Sequence, residues 1–79
     1  MEYLVKISHE QQVMAFVASC IESVARFLNA DYAEVFKRMK RVGMIEQYIL
    51  PYYDTLHTES RENLTKGLVE CLNEWEERK

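Results

Sequence analysis

Asp54 and His57 stand three residues apart in the stretch PYYDTLHTESREN, residues 51–63, with the hydroxyls of Tyr52, Tyr53, Thr58 and Ser60 nearby. At that spacing a carboxylate can orient an imidazole, and an oriented imidazole can act as a general base. An enzyme built on this pair also needs a substrate proton or a nucleophile within hydrogen-bond reach, in a pocket that excludes water. No second set of catalytic groups converges on the stretch, and a chain of 79 residues leaves little interior for such a pocket. The same residues have a structural use. His57 falls where a third helix would end and can engage its free carbonyls, Leu56 can insert into a core, and Thr58 or Ser60 can cap a fourth helix. Spacing alone does not choose between the two caps. The stretch is therefore read as a non-enzymatic corner, with no catalytic residue, cofactor or metal expected.

A second chemistry is offered by KRMKR, in which Lys37, Arg38, Lys40 and Arg41 crowd the end of a predicted second helix. With the turn that follows, the run faintly resembles a helix-turn-helix, which would bind nucleic acid. The helix that would have to read bases runs IEQYILPYY, apolar, with Glu46 at its start and Pro51 inside. Positive residues in a last helical turn also offset the negative end of the helix dipole. Nucleic acid is thus not the expected partner, and this patch stands as the alternative.

Aromatic residues carry the third signal. Tyr32, Phe36, Tyr48 and Trp75 can be absorbed by a core, since a buried tyrosine needs one partner for its hydroxyl. Tyr48, Tyr52 and Tyr53 on one short helix exceed what a single core face can hide. Whichever of Tyr52 and Tyr53 points outward is a candidate anchor for a partner protein, because aromatic residues are enriched at binding hot spots. Met14, Met39 and Met44 read as gap-fillers, and the tail EWEERK as a solvated helix end.

The elements that must position these groups are helical. Two glycines and one proline leave little material for turns, and 48% apolar with 29% charged residues is a globular composition. Val13, Phe16, Val17, Cys20, Ile21, Val24, Phe27 and Leu28 recur at helical spacing over residues 8–28, and Ser8 with Gln11 forms a capping box. Residues 31–42 repeat the logic, with Asp31 and Glu34 as a capping pair, Tyr32, Val35, Phe36 and Met39 as the stripe, and Gly43 as the stop. A third helix over 44–56 places Ile45, Tyr48, Ile49, Tyr52 and Leu56 on one side and is kinked near Pro51. The fourth, over 60–77, lines up Leu64, Leu68, Cys71, Leu72 and Trp75, and Gly67 within it reads as a point of close helix approach. Residues 1–7, with Tyr3, Val5 and Ile7 alternating, suit a short extended arm that caps the helices or pairs with a second copy, or else form the loose beginning of the first helix.

Charge and cysteines set the outer bounds. Residues 1–43 carry six Lys/Arg and five Asp/Glu, whereas residues 44–79 carry four and eight, so the acidic back half suits a basic partner rather than a phosphate backbone. Cys20 and Cys71 lie in apolar helical patterns, which fits reduced core residues of a cytoplasmic protein. Neither a signal peptide nor a membrane span is expected, because no segment approaches about 18 apolar residues.

Phe16 with CIE at 20–22, EVF at 34–36, Gly43 and YDTLHT at 53–58 together carry a resemblance. The chain resembles a family of short bacterial proteins, many from gut anaerobes, catalogued as a domain of unknown function. Members show an F…CIE helix, an EV(F/Y) helix ending in glycine, and a YD-x-LHT-x-G signature. The likeness spans about residues 13–72 and departs at Ser60, where glycine is usual, and at Pro51, where a helix former is usual. It implies Tyr53, Asp54, Leu56, His57 and Thr58 as signature positions. It further implies a small accessory protein of the kind encoded beside ADP-ribosyltransferase-like proteins, as an antidote or partner.

The reading is an all-α bundle of about four short helices that works by binding another protein, through Tyr52, Tyr53, Asp54, Leu56, His57 and Thr58. Self-association is expected as a way to extend a thin core. The alternative is a DNA-binding regulator using Lys37, Arg38, Lys40 and Arg41. An enzyme centred on Asp54 and His57 comes last.

Overall fold

A computed structural model describes residues 8–78. Residues 1–7, the expected extended arm, lie outside the described residues. The described chain is all α-helical: α1 (His9–Leu28), α2 (Tyr32–Arg41), a π-helical segment (Ile45–Ile49), α3 (Tyr53–Leu56) and α4 (Arg61–Arg78). The two long helices α1 and α4 pack on each other, α2 packs on α1, and the π segment packs on α2.

Local chemistry sets where α1 starts and stops. The Gln11 amide donates to Ser8 Oγ at 3.1 Å, and the Ser8 amide donates to Gln11 Oε1 at 3.1 Å, so two orphan donors are satisfied reciprocally. At the other end Asn29 takes the left-handed conformation, φ 55°. Its amide donates to the Arg26 carbonyl at 3.2 Å and that of Ala30 to the Ala25 carbonyl at 2.9 Å, the paired bonds that close a helix C-terminus. The turn swings α2 to 111° from α1. Gly43 ends α2 with φ 75°, where a Cβ would also crowd the Gln47 side chain at 3.2 Å. Asp31 stands at the start of α2 with extended backbone, but its side chain makes no capping hydrogen bond. The expected capping pair is thus present in sequence and not in geometry.

Buried side chains from every element meet in one core: Cys20, Ile21 and Val24 of α1, Val35 and Met39 of α2, then Met44, Ile49 and Leu56, and Leu64, Leu68 and Leu72 of α4. Burial pushes the Cys20 thiol up to about 11, offset in part by the positive charge of Arg61. Three expected core aromatics are corrected. Phe27 is 56% exposed, at the rim of the α1 stripe beside Arg26, Glu62 and Lys66, polar chains that leave its ring open. Phe36 and Tyr32 are exposed as well, because Val35, Met39 and Val42 supply the buried face of α2 and Phe36 sits ~100° round from Val35.

Two polar links tie the ends of α4 to the rest. Arg61 donates from Nη1 to Ser23 Oγ at 2.9 Å and to Ser19 Oγ at 3.4 Å, holding the first turn of α4 against α1. Near the other end Arg38 grips Glu76 with two bonds of 2.8 Å, Nε to Oε2 and Nη2 to Oε1. The EWEERK tail is therefore anchored at Glu76 rather than simply solvated, with Trp75 half-buried beside Tyr48.

Candidate functional site

Pro51 shapes the candidate site. It has no amide proton, and its ring would collide with the carbonyl of Gln47 in a regular α-helix. The chain responds by widening: the Leu50 amide donates to the Ile45 carbonyl at 2.9 Å, five residues back, and residues 50–52 form a turn before α3 begins. The helical run expected over 44–56 is thus broken into a π segment and a separate four-residue helix. That break changes which side chains face inward.

Tyr53 turns toward the body and Tyr52 turns away. The Tyr53 ring meets Phe16 edge-on at 5.3 Å and His9 edge-on at 5.7 Å, and stacks on His57 at 4.7 Å. An unbroken helix would set Tyr52 with Ile45, Tyr48, Ile49 and Leu56 on one side, but it is 53% exposed, because the π segment and turn interrupt the 3.6-residue register. Leu56 is buried in the core. The ring Nδ1–H of His57 donates to the Tyr53 carbonyl at 2.9 Å, so the imidazole closes the end of α3.

Asp54 is exposed on the outer side of α3, and among the described residues no hydrogen bond joins it to His57. The two residues are not brought together as an acid–imidazole pair. Thr58 Oγ1 donates to the Thr55 carbonyl at 2.8 Å, while Ser60 Oγ accepts the Asn63 amide at 3.2 Å. Ser60, and not Thr58, caps α4.

The basic run is similarly divided. Arg38 is spent on Glu76: that hydrogen-bonded pair strengthens the hold of the guanidinium on its proton and keeps the Glu76 carboxyl below the usual carboxylate range. Lys40 lies over the Phe36 ring at 5.7 Å. Lys37 and Arg41 are exposed. An anion would meet a patch whose most rigid cation is already paired.

Beside the corner a shallow groove of about 200 Å³ is lined by Tyr48, Leu56, Glu59, Asn63, Leu64, Gly67 and Leu68. The exposed Tyr52 ring lies next to the Tyr48 ring that lines it, 5.6 Å between centroids. Burial raises the Tyr48 hydroxyl above its ordinary range, with the negative groups around it adding to the effect. Within the α4 pattern, Gly67 is expected to mark a close approach between helices of the fold. Among the described residues no such approach exists, since a Cβ there would meet nothing within 4 Å. Gly67 instead keeps the outer floor of the groove bare, at a helix cost of about 1 kcal/mol relative to alanine. The glycine was visible in the sequence, but which side of α4 it faced was not.

Residues 15–75 match the family described as "Protein of unknown function (DUF3791)". The chain belongs to that family. The match takes in α1 from its second turn, the whole corner and most of α4, so every residue of the groove and of the Tyr53–His57 stack except His9 lies within it. No curated protein and no solved structure matches the chain. Among the described residues no single helix is long and apolar enough to cross a membrane.

Proposed function

We propose that this member of the DUF3791 family is a small protein-interaction module that receives its partner in the groove running from Tyr52 over Tyr48 to Gly67. The observation that carries the reading is Gly67. A helix-interior glycine with open space around it has no packing role inside the fold, and a bare helix surface admits another chain closely. Tyr52 supplies an exposed aromatic anchor at the mouth of the groove. Glu59 beside it, and Glu70 and Glu74 on the exposed side of α4, favour a partner segment with an apolar anchor between basic residues. The finer reading, a partner of the ADP-ribosyltransferase-like kind encoded alongside, rests on the family resemblance and names the first protein to try.

Affinity capture from the native host, with the adjacent gene product purified as the direct candidate, tests this. Wild-type protein retains a stoichiometric partner, while Tyr52→Ala and Gly67→Leu lose it with folding intact by circular dichroism. Recovery of no stoichiometric protein, or equal retention by both variants, would overturn the reading.

A further inference from the structure

Between α1 and the first turns of α4 lies an open cleft of about 590 Å³, whose lining includes Ser23, Arg26, Phe27, Arg61 and Lys66. A smaller recess of about 210 Å³ shares Ser23, Arg26 and Arg61 with it and adds Ser19. Neither shares a residue with the groove at Tyr48 and Gly67. Neutral oxygens set the Arg61 guanidinium in place: its Nη1 donates to Ser23 Oγ at 2.9 Å, to Ser19 Oγ at 3.4 Å and to the Ser19 carbonyl at 3.5 Å. Arg26, Arg38 and Arg78 each bond a glutamate, whereas Arg61 bonds no carboxylate among the described residues.

We propose that this cleft binds a small organic carboxylate, with its anionic head on Arg61 and its apolar body on the ring of Phe27. Nη1 is spent on the serines, and the Nε and Nη2 donors of Arg61 make no hydrogen bond among the described residues. Those are the two donors with which Arg38 grips the Glu76 carboxylate at 2.8 Å, so the fold already contains the geometry that Arg61 can offer a ligand. The Ser19 hydroxyl is committed, donating to the Phe16 carbonyl at 2.8 Å. That of Ser23 accepts from Arg61 and keeps its own proton for a carboxylate oxygen. Phe27, one turn beyond Ser23 on α1, lines the same cleft with its ring 56% exposed. An apolar group attached to the bound carboxylate covers that ring.

Charge balance selects the class of anion. Arg26 and Lys66 edge the cleft, but each pairs with a glutamate one turn earlier, Glu22 at 3.0 Å and Glu62 at 3.9 Å. Arg61 is therefore the uncompensated charge among them, and one carboxylate neutralises it. A phosphate monoester carries about two negative charges at neutral pH, and its second charge would face Glu22 and Glu62 without a cation of its own. The size of the cleft suits a small molecule, for which about 300–1,000 Å³ is usual.

Titration of the full chain with 3-phenylpropionate, followed through its amide chemical shifts, tests the proposal. Saturable binding is expected, with the shifts centred on residues 19–27 and 61–66. The corresponding alcohol, 3-phenylpropanol, lacks the charge and binds about tenfold more weakly or not at all; phenyl phosphate binds more weakly than the carboxylate. Arg61→Lys keeps the positive charge but loses the two-pronged donor, and weakens binding by about tenfold. Phe27→Ala weakens 3-phenylpropionate by about fivefold and leaves acetate unaffected. Tyr52→Ala changes neither, which separates this site from the partner groove. Circular dichroism checks folding, and Phe27→Ala with the alcohol decides the matter even where Arg61→Lys fails to fold. Absence of saturable binding, equal binding of acid and alcohol, or wild-type affinity in the folded variants would overturn the proposal. Tighter binding of phenyl phosphate would overturn the assignment to a carboxylate.

Discussion

Helix α1 and the Pro51 corner solve the same problem, ending a helix without stranding its backbone groups, in opposite ways. In α1 the solution is local: Ser8 and Gln11 exchange bonds at one end, and Asn29 takes a left-handed turn at the other. At the corner the solution is distributed. Pro51 removes a donor, the backbone widens to a π turn, and closure comes from the His57 ring, the Thr58 hydroxyl and the Ser60 cap in succession. The locally closed helix buries one stripe, Val17, Cys20, Ile21, Val24 and Ala25. The corner divides its side chains, with Tyr53 and Leu56 turned to the body and Leu50, Tyr52 and Asp54 left outside. Interrupting the helical register is what creates an outward set of residues next to a buried one.

Substitutions can sharpen or break that contrast. The largest effect is expected at Leu56, the corner's deepest plug: Leu56→Ala destabilises by about 3 kcal/mol in urea unfolding, as a core leucine should. Phe27→Ala, at the uncovered rim of α1, changes stability by no more than about 0.5 kcal/mol. A small effect at Leu56 would mean that the corner is not folded onto the core.

Next comes the clasp between α2 and α4. Arg38→Ala destabilises by about 1–2 kcal/mol, since a two-bond, partly buried pair is stronger than a surface ion pair. The folded Glu76 carboxyl titrates below the 4.5 of a free glutamate. Its contribution is therefore present at neutral pH and is lost as pH falls below that value through the folded pKa. An acid titration of stability should show this loss in the wild type and a shallower one in Arg38→Ala.

Smaller effects compare two helix positions of opposite sign. Ser8→Ala removes a working cap and destabilises by about 1 kcal/mol. Gly67→Ala stabilises by about 1 kcal/mol, because the added methyl meets nothing and helix propensity improves. Destabilisation at Gly67 would show that the glycine serves the fold itself. Smallest is Asp31→Ala, about 0.5 kcal/mol or less, because the Asp31 side chain makes no capping bond.

Much of this was legible in the sequence where the controlling interactions are short-range. The α1 stripe, the Ser8 box and the Gly43 stop each depend on residues within one or two turns. Gly67 and Arg38 were visible as residue types, but their meaning depends on what lies across space: open solvent for one, Glu76, 38 positions away, for the other. The fate of Tyr52 was hidden for a different reason. A proline inside a helical pattern signals a break, yet whether the break is a kink or a π turn decides which neighbouring tyrosine faces out. In the structure Ile49 and Leu56, on either side of the break, are both buried in the core, while Tyr52 between them is exposed.

The most direct test of a corner that folds on one side and docks on the other is urea unfolding of Tyr53→Ala beside Tyr52→Ala. Tyr53, held among Phe16, His9 and His57, should lose about 2 kcal/mol on truncation. Tyr52 should lose about 0.5 kcal/mol or less. Equal losses, or a larger loss at Tyr52, would contradict the account.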